Sequence, residues 1–256
     1  MRSLAIFFCT VLLLATILCS IGCNSPLPTI VPIDNQLLTQ SCTIKTDHYF
    51  LPNGLRIQNQ QNLIIDFKNS ILEGNFTMSF PHNVSSGVLI ENSRNITITG
   101  YGFVKDYYYG IVVRSSSEIH IRDMNLNRNW RNNANLWNVD EYQINNNIQA
   151  SDYGRDFQSL GGGVFLVNVN DSYVGESNMQ QQNSGINVFS SHRNHFYRNF
   201  FGKNSAFGLQ MRDSNQNRVV KNDASNCNSL KFEDTAGIFA VDSNENEFVA
   251  NQVHRC

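Results

Sequence analysis

The feature that most constrains this chain is a recurring segment that opens on glycine and continues as an alternating apolar strand. GLRIQNQQNLII, GVLIENSRNITI, GIVVRSSSEIHI, GVFLVNVNDSYV, GINVFSSHRNHFY, GLQMRDSNQNRVV and GIFAVDSNENEFV begin at Gly54, Gly87, Gly110, Gly163, Gly185, Gly208 and Gly237. Three of the six spacings are 23, 22 and 23 residues, and the others, 33, 53 and 29, carry insertions. A fixed period of this length means that each unit is one supersecondary element, unable to bury its apolar face alone and stacked on the next.

Counting from each glycine, positions 1 and 3 are apolar, as in Val88/Ile90, Ile111/Val113, Ile186/Val188 and Leu209/Met211. A period of two is a strand with one buried face. Position 5 is a small polar turn former (Asn59, Asn92, Ser115, Asn168, Ser190, Asp213, Asp242). Position 11 marks a second strand with Ile65, Ile98, Ile121, Val174, Phe196, Val219 and Phe248. A third apolar column near position 16 holds Phe103, Leu126, Met179, Phe201, Ala224 and Val253. Three apolar columns give a three-sided coil, so the chain is all-β and reads as a single-stranded parallel β-helix, a solenoid of about seven or more coils. A leucine-rich repeat has a similar period but a Leu-dominated pattern and a looser outer half, whereas β-branched and aromatic residues mark every side here.

Polar columns run between the apolar ones. Position 9 gives Asn194, Asn217 and Asn246 in the later coils, and position 14 gives Asn199, Asn222 and Asn251. Stacked at the strand spacing of about 4.8 Å, identical amides hydrogen-bond into ladders, so these residues are read as structural. Cys227 and Cys256 both stand at position 19, and adjacent coils bring their Cα atoms within disulfide range. A Cys227 to Cys256 bridge is expected in an oxidising compartment, with two buried, stacked thiols as the alternative.

Charged residues are 16% of the chain and the net charge is -2, which indicates neither a nucleic-acid-binding surface nor a polybasic membrane patch. Met1 and Arg2 precede an apolar stretch from Leu4 to Ile21 that ends on small residues, the pattern of a signal peptide over residues 1–23. The alternative is a membrane anchor. Ile21-Gly22-Cys23 resembles a lipoprotein signal, although Ser20 stands where that pattern has Leu. Membrane association is thus expected only through the N-terminal signal or a lipid anchor, and the protein is expected outside the cytoplasm, secreted or at the cell surface. Residues 24–53 are read as an N-terminal linker and cap, and 54–256 as the β-helix with an inserted loop at about 127–162. No polar cap follows the last coil, and two readings stand side by side: pairing of that end with another chain as an oligomer, or a sequence that continues further. Acceptor sequons at Asn75, Asn83, Asn95 and Asn170 matter if the source is eukaryotic.

The unit G-I-x-V-x-x-S-x-x-N-x-F/V-x-x-N, as in GINVFSSHRNHFYRNF and GIFAVDSNENEFVAN, resembles the right-handed parallel β-helix repeats of NosD-like proteins and the wider pectate-lyase-like superfamily, over about residues 40–256. The resemblance implies a right-handed helix. It does not imply one activity, since the superfamily includes polysaccharide lyases, glycoside hydrolases, epimerases, phage tailspikes and proteins without known catalysis. The N-T-D, D-D, G-H-G and R-I-K motifs of polygalacturonase-type hydrolases and the D-P-H-E signature of alginate epimerases do not occur.

Lyases of the superfamily use Ca²⁺-binding acids with an Arg or Lys base. The nearest approximation lies on the outward face of the second strand, where His120, Arg122 and Asp123 are candidate catalytic residues. Asp66, Tyr173 and Glu176 on other coils are candidate substrate contacts, as are Trp130 and Trp137 in the inserted loop, whose rings beside Asn, Asp and Arg suit a sugar platform. That loop alternatively folds back over outward apolar residues such as Val112, Phe165, Val167 and Phe189. Arg114 with Arg212 and Asp213 on the first strand is a weaker catalytic alternative. His192 and His195 lack a third metal ligand at recognisable spacing, so turn and surface roles are expected for both; no metal site is read from the sequence, and Ca²⁺ enters only if the protein is a lyase. The expectation is a protein that binds an extended polysaccharide, with processing by a lyase, hydrolase or epimerase left open. The alternatives are a structural or adhesive surface protein and, more remotely, a NosD-like accessory factor in metal-centre maturation.

Overall fold

A computed structural model describes residues 26–75, 85–129, 161–227 and 236–256. The signal segment, Trp130, Trp137 and Asn83 lie outside the described residues. Within them there are strands and turns and no helix, and every strand pairing is parallel. Ser86–Glu91, Tyr109–Arg122, Gly162–Asn170, Ser184–Phe189, Phe207–Arg212 and Ala236–Val241 form the first side of the solenoid, each paired with the next coil. Arg94–Thr99, the second half of Tyr109–Arg122, Tyr173–Gly175, His195–Tyr197, Arg218–Val220 and Glu247–Val249 form the second. The third side is thin in the later coils, a run of single bridges through Phe103, Asn125, Asn178, Phe200, Asp223 and Gln252.

The glycine column is explained by close approach between coils. A Cβ on Gly87, Gly110 or Gly163 would stand 2.8 Å from the carbonyl oxygen of the glycine on the following coil, and one on Gly185 or Gly208 would stand 2.5 or 2.4 Å away. Any larger residue would force the first strands apart. Inside, Ile90, Ile98, Ile121, Val188, Phe196, Phe201 and Leu209 are fully buried in one core that runs the length of the stack.

Two expectations are corrected. The helix starts a coil earlier than Gly54: Gln36–Leu37 pairs with Leu55 and Arg56, Cys42–Ile44 with Ile65 and Asp66, and His48–Phe50 with Ile71–Glu73. Residues 35–53, expected as linker and cap, are therefore wound as a coil, with Asn35 at positive φ (61°) just before its first strand. In the Gly87 coil the third core residue is buried Val104, not Phe103. The corner there holds two successive left-handed residues, Gly100 and Tyr101, and this extra residue moves the register by one.

The amide ladders form as read. The Asn194 N–H donates to Asn217 Oδ1 and the Asn217 N–H to Asn246 Oδ1, both at 2.8 Å; Asn199, Asn222 and Asn251 repeat the pattern at 2.9 Å. Two further ladders were not anticipated. Ser93, Ser116, Ser191, Ser214 and Ser243 line a serine column at position 6, as in the Ser93 N–H to Ser116 Oγ bond of 3.0 Å. At position 19 the Asn129 N–H donates to Gln182 Oε1 at 3.0 Å and the Gln182 N–H to Asn204 Oδ1 at 3.2 Å.

Cys227 and Cys256 continue this last column, which corrects the expected bridge: both are free thiols. Cys227 Sγ accepts the Asn204 N–H and donates to the carbonyls of Phe201 and Ala224, the same kind of acceptors that Asn204 Nδ2 reaches at Met179 and Phe201. The Cys227 N–H in turn reaches Cys256 Sγ at 3.4 Å. A thiol, donor and acceptor at once, occupies the place of an amide.

Candidate functional site

The second strand turns its even positions outward. Position 10 reads Ile64, Thr97, His120, Tyr173, His195, Arg218 and Glu247 in successive coils, so three rings follow one another at strand spacing. The His120 and Tyr173 rings stack with centroids 6.4 Å apart, Tyr173 meets His195 edge-on at 5.6 Å, and His195 lies 5.5 Å from Tyr197 at position 12. The Arg198 guanidinium sits 5.1 Å over the Tyr197 ring, a cation–π contact.

Gly175 makes room for this strip. A Cβ there would fall 2.2 Å from Tyr173 Oη, so only glycine lets the ring lie over the corner, where its hydroxyl donates to Glu176 Oε2 at 3.4 Å. Burial, then the Glu176 carboxylate, pushes the Tyr173 hydroxyl up to about 12, which keeps it a neutral donor. Burial, then the neighbouring Arg218, lowers His195 from its ordinary value, so its ring is uncharged at neutral pH. His195 Nε2 is buried without a hydrogen-bond partner.

Of the residues singled out from sequence, His120, Tyr173 and Glu176 meet on this face. Arg122 pairs with Gly175 and is exposed, and Asp123 forms the next corner at φ 56°. Among the described residues no hydrogen bond or ion pair joins His120, Arg122 and Asp123. Asp66 pairs with Thr99 and so stands apart from Arg122, with Oδ1 accepting the Lys68 N–H at 2.9 Å. Among the described residues there is no group of three or more His, Cys, Asp or Glu that could hold a metal ion. His192 is a turn residue whose Nδ1 accepts the Asn215 N–H. His195 and Tyr197 were missed as members of the strip; reading position 10 down the coils, as was done for the core positions, exposes the first of them.

The outer face of the first strand differs in kind. Val112 and Phe165 are buried with Tyr108 and Tyr109, and Tyr109 stacks on Phe165 at 5.0 Å. Arg212 Nε lies 3.8 Å from Asp213, the neighbouring residue of the weaker catalytic alternative. Of the sequons, exposed Asn95 donates to Asn62 Oδ1 at 2.7 Å, and half-buried Asn170 accepts the His192 N–H at 3.1 Å; Asn75 is also half-buried.

Three-sided parallel coils, internal ladders and an outward ring strip define a β-helix solenoid with a polar, aromatic outer face. Residues 86–256 match the family model described as "Right handed beta helix region", and the chain belongs to that family. Among solved structures it is similar to the periplasmic alginate epimerase AlgG (12% identity, 83% of this chain and 51% of that one, TM-score 0.46). It is also similar to PfbA, a surface adhesin of Streptococcus pneumoniae (12% identity, 85% and 63% covered, TM-score 0.38), and to the Dettilon tailspike protein (15% identity, 75% and 44% covered, TM-score 0.37). At these identities the likeness is one of fold, and the chain spans about half the length of AlgG. No curated protein matches the sequence.

Proposed function

We propose that this chain is a carbohydrate-binding β-helix of the cell exterior that holds an extended polysaccharide along the outer face of its second strand. The observation that carries the reading is the strip of His120, Tyr173, His195 and Tyr197. Rings placed at strand spacing offer successive sugar units a face to stack on, and the Tyr173 hydroxyl, Glu176 and Arg122 stand beside them as hydrogen-bonding groups for hydroxyls. Placement outside the cytoplasm rests on the export-signal pattern of residues 1–23.

The test is affinity electrophoresis of the purified chain in gels containing polygalacturonate, alginate or dextran. Retardation by at least one polymer is expected, reduced about tenfold or more in affinity when Tyr173→Ala and Tyr197→Ala are combined, since each ring contributes about a kcal/mol beyond its area. Equal affinity of the double variant, or no retardation in any gel, overturns the reading. Release of unsaturated or reducing ends that disappears in the His120→Ala, Arg122→Ala, Asp123→Ala triple variant would instead make the same face catalytic.

A further inference from the structure

Next to the ring strip, around the corner between the second and third sides, lies a groove of about 500 Å³. Its lining includes Glu176, Arg198 and Lys221 from three successive coils and, facing them, Phe200, Asp223 and Gln252. All of these positions belong to the regular coil, so the site is held by paired backbone: the Arg198 N–H donates to the Val220 carbonyl and the Lys221 N–H to that of Val249.

Three features of the groove stand out. Phe200 is 53% exposed and lines the groove, although its neighbours in the same bridge column are Asn178 and Asp223, so its ring is open to a ligand. Arg198 and Lys221 occupy the same corner of adjacent coils, about 4.8 Å apart along the stack. Among the described residues neither forms an ion pair, and the Arg198 guanidinium lies over the Tyr197 ring. The two carboxylates nearby are already engaged, Glu176 by the Tyr173 hydroxyl and Asp223 by the Ser225 N–H at 3.0 Å.

We infer that this groove is an anionic-sugar subsite: Phe200 stacks on the ring of a uronate unit, Arg198 and Lys221 take its carboxylate, and Asp223 and Gln252 take its hydroxyls. The inference rests on the carbohydrate-binding reading above and adds the charge of the polymer. Like charges stacked on adjacent coils repel each other, and a carboxylate between them removes that repulsion. A bidentate guanidinium contact gives the carboxylate an orientation as well as an energy. The groove volume is in the range of small-ligand sites and suits one or two sugar units, continuous with the ring strip through Glu176 and Arg198.

The experiment compares affinities of the full chain for polygalacturonate, for the same polymer fully methyl-esterified, and for dextran, at low and moderate salt. Preference for the acidic form is expected, weakening as salt rises. Combining Arg198→Gln with Lys221→Gln should abolish that preference, and Arg198→Lys in place of Arg198→Gln should restore part of it. Phe200→Ala should weaken binding to both polymers alike. An acid preference kept by the double variant, or equal wild-type affinity for acidic and esterified forms, overturns this inference and leaves the ring strip standing. Retention on dextran alone does the same. Failure to bind any of the three polymers removes the carbohydrate reading and this subsite with it.

Discussion

Asn199 and Asn222 occupy the same corner of adjacent coils, and Asn222 Oδ1 accepts both the backbone N–H of Asn199 at 2.9 Å and its side-chain Nδ2 at 3.1 Å. Asn222 Nδ2 meanwhile donates to the Phe196 carbonyl at 3.0 Å. One buried side chain thus satisfies main-chain groups of the coil before it, and the pattern repeats at positions 9 and 14 of the later coils. Corner backbone leaves the strand ladder in a left-handed residue (Arg198 at φ 52°, Lys221 at 56°), so these groups have no strand partner, and an unpaired buried N–H or C=O is costly.

Replacement of Asn222 by Leu should therefore destabilise the fold more than its modest change in volume suggests. It leaves the Asn199 N–H and the Phe196 carbonyl unpartnered, at about 1–3 kcal/mol each. Urea unfolding should show a clearly lower midpoint for Asn222→Leu. Asn251→Leu, at a half-exposed position on the last coil, should cost less because water reaches the freed groups.

The cysteine column makes a second prediction. Burial pushes the Cys227 thiol up to about 12, and Cys256 is exposed. Iodoacetamide at mildly alkaline pH should alkylate Cys256 in the native protein and Cys227 only after denaturant is added, with mass spectrometry finding no bridged peptide. Because the thiol fills an amide's place, Cys227→Asn should retain wild-type stability, whereas Cys227→Leu strands the Asn204 N–H and should not.

Reading down the columns explains what the sequence could tell. Glycine, the β-branched core and the Asn ladders repeat one residue type at one position, so a period search finds them. The ladder at position 19 changes type, Asn129, Gln182, Asn204, Cys227 and Cys256, and the two cysteines alone looked like a bridge. The coil before Gly54 was hidden because it has no leading glycine. The site is least legible for the same reason: His120, Tyr173, His195 and Arg218 share a position but no chemistry, and which of them stack depends on side-chain directions over Gly175. Phe200 stands one residue before Phe201, and the period that puts Phe201 in the core at position 16 turns Phe200 outward without telling what its ring meets there.

A third prediction concerns the early coils. Lys105 donates to Glu73 and, at 2.9 Å, to Asp106, while Arg128 lies 3.4 Å from the other Asp106 oxygen and His48 bonds Glu73 at 2.7 Å. The side chains of Lys105 and Asp106 are only 13% and 6% exposed. Lys105→Met leaves a nearly buried carboxylate with one distant, half-exposed partner and should cost about 3–5 kcal/mol, the range for breaking a buried pair from one side. Thermal unfolding of this variant with Asp106→Asn added should recover much of the loss, since the uncompensated charge is then gone.

The last prediction is a pH dependence. His195 titrates below its ordinary value in the folded chain, first because burial disfavours the charged ring and then because Arg218 repels it. Between the folded value and the unfolded value of about 6.5, the unfolded chain binds the extra proton. Stability rises with pH wherever that holds, so the contribution of this group is complete above about 6.5 and is lost as pH falls toward the folded value. His195→Phe keeps a ring between Tyr173 and Tyr197 but cannot take a proton. Urea midpoints measured in steps from neutral to mildly acidic pH should fall less steeply in His195→Phe than in the wild type, with the two converging in shape above neutrality. Parallel curves throughout would mean that His195 charges as freely in the folded chain as in the unfolded one, and the strip would then carry a cation at its centre in acid.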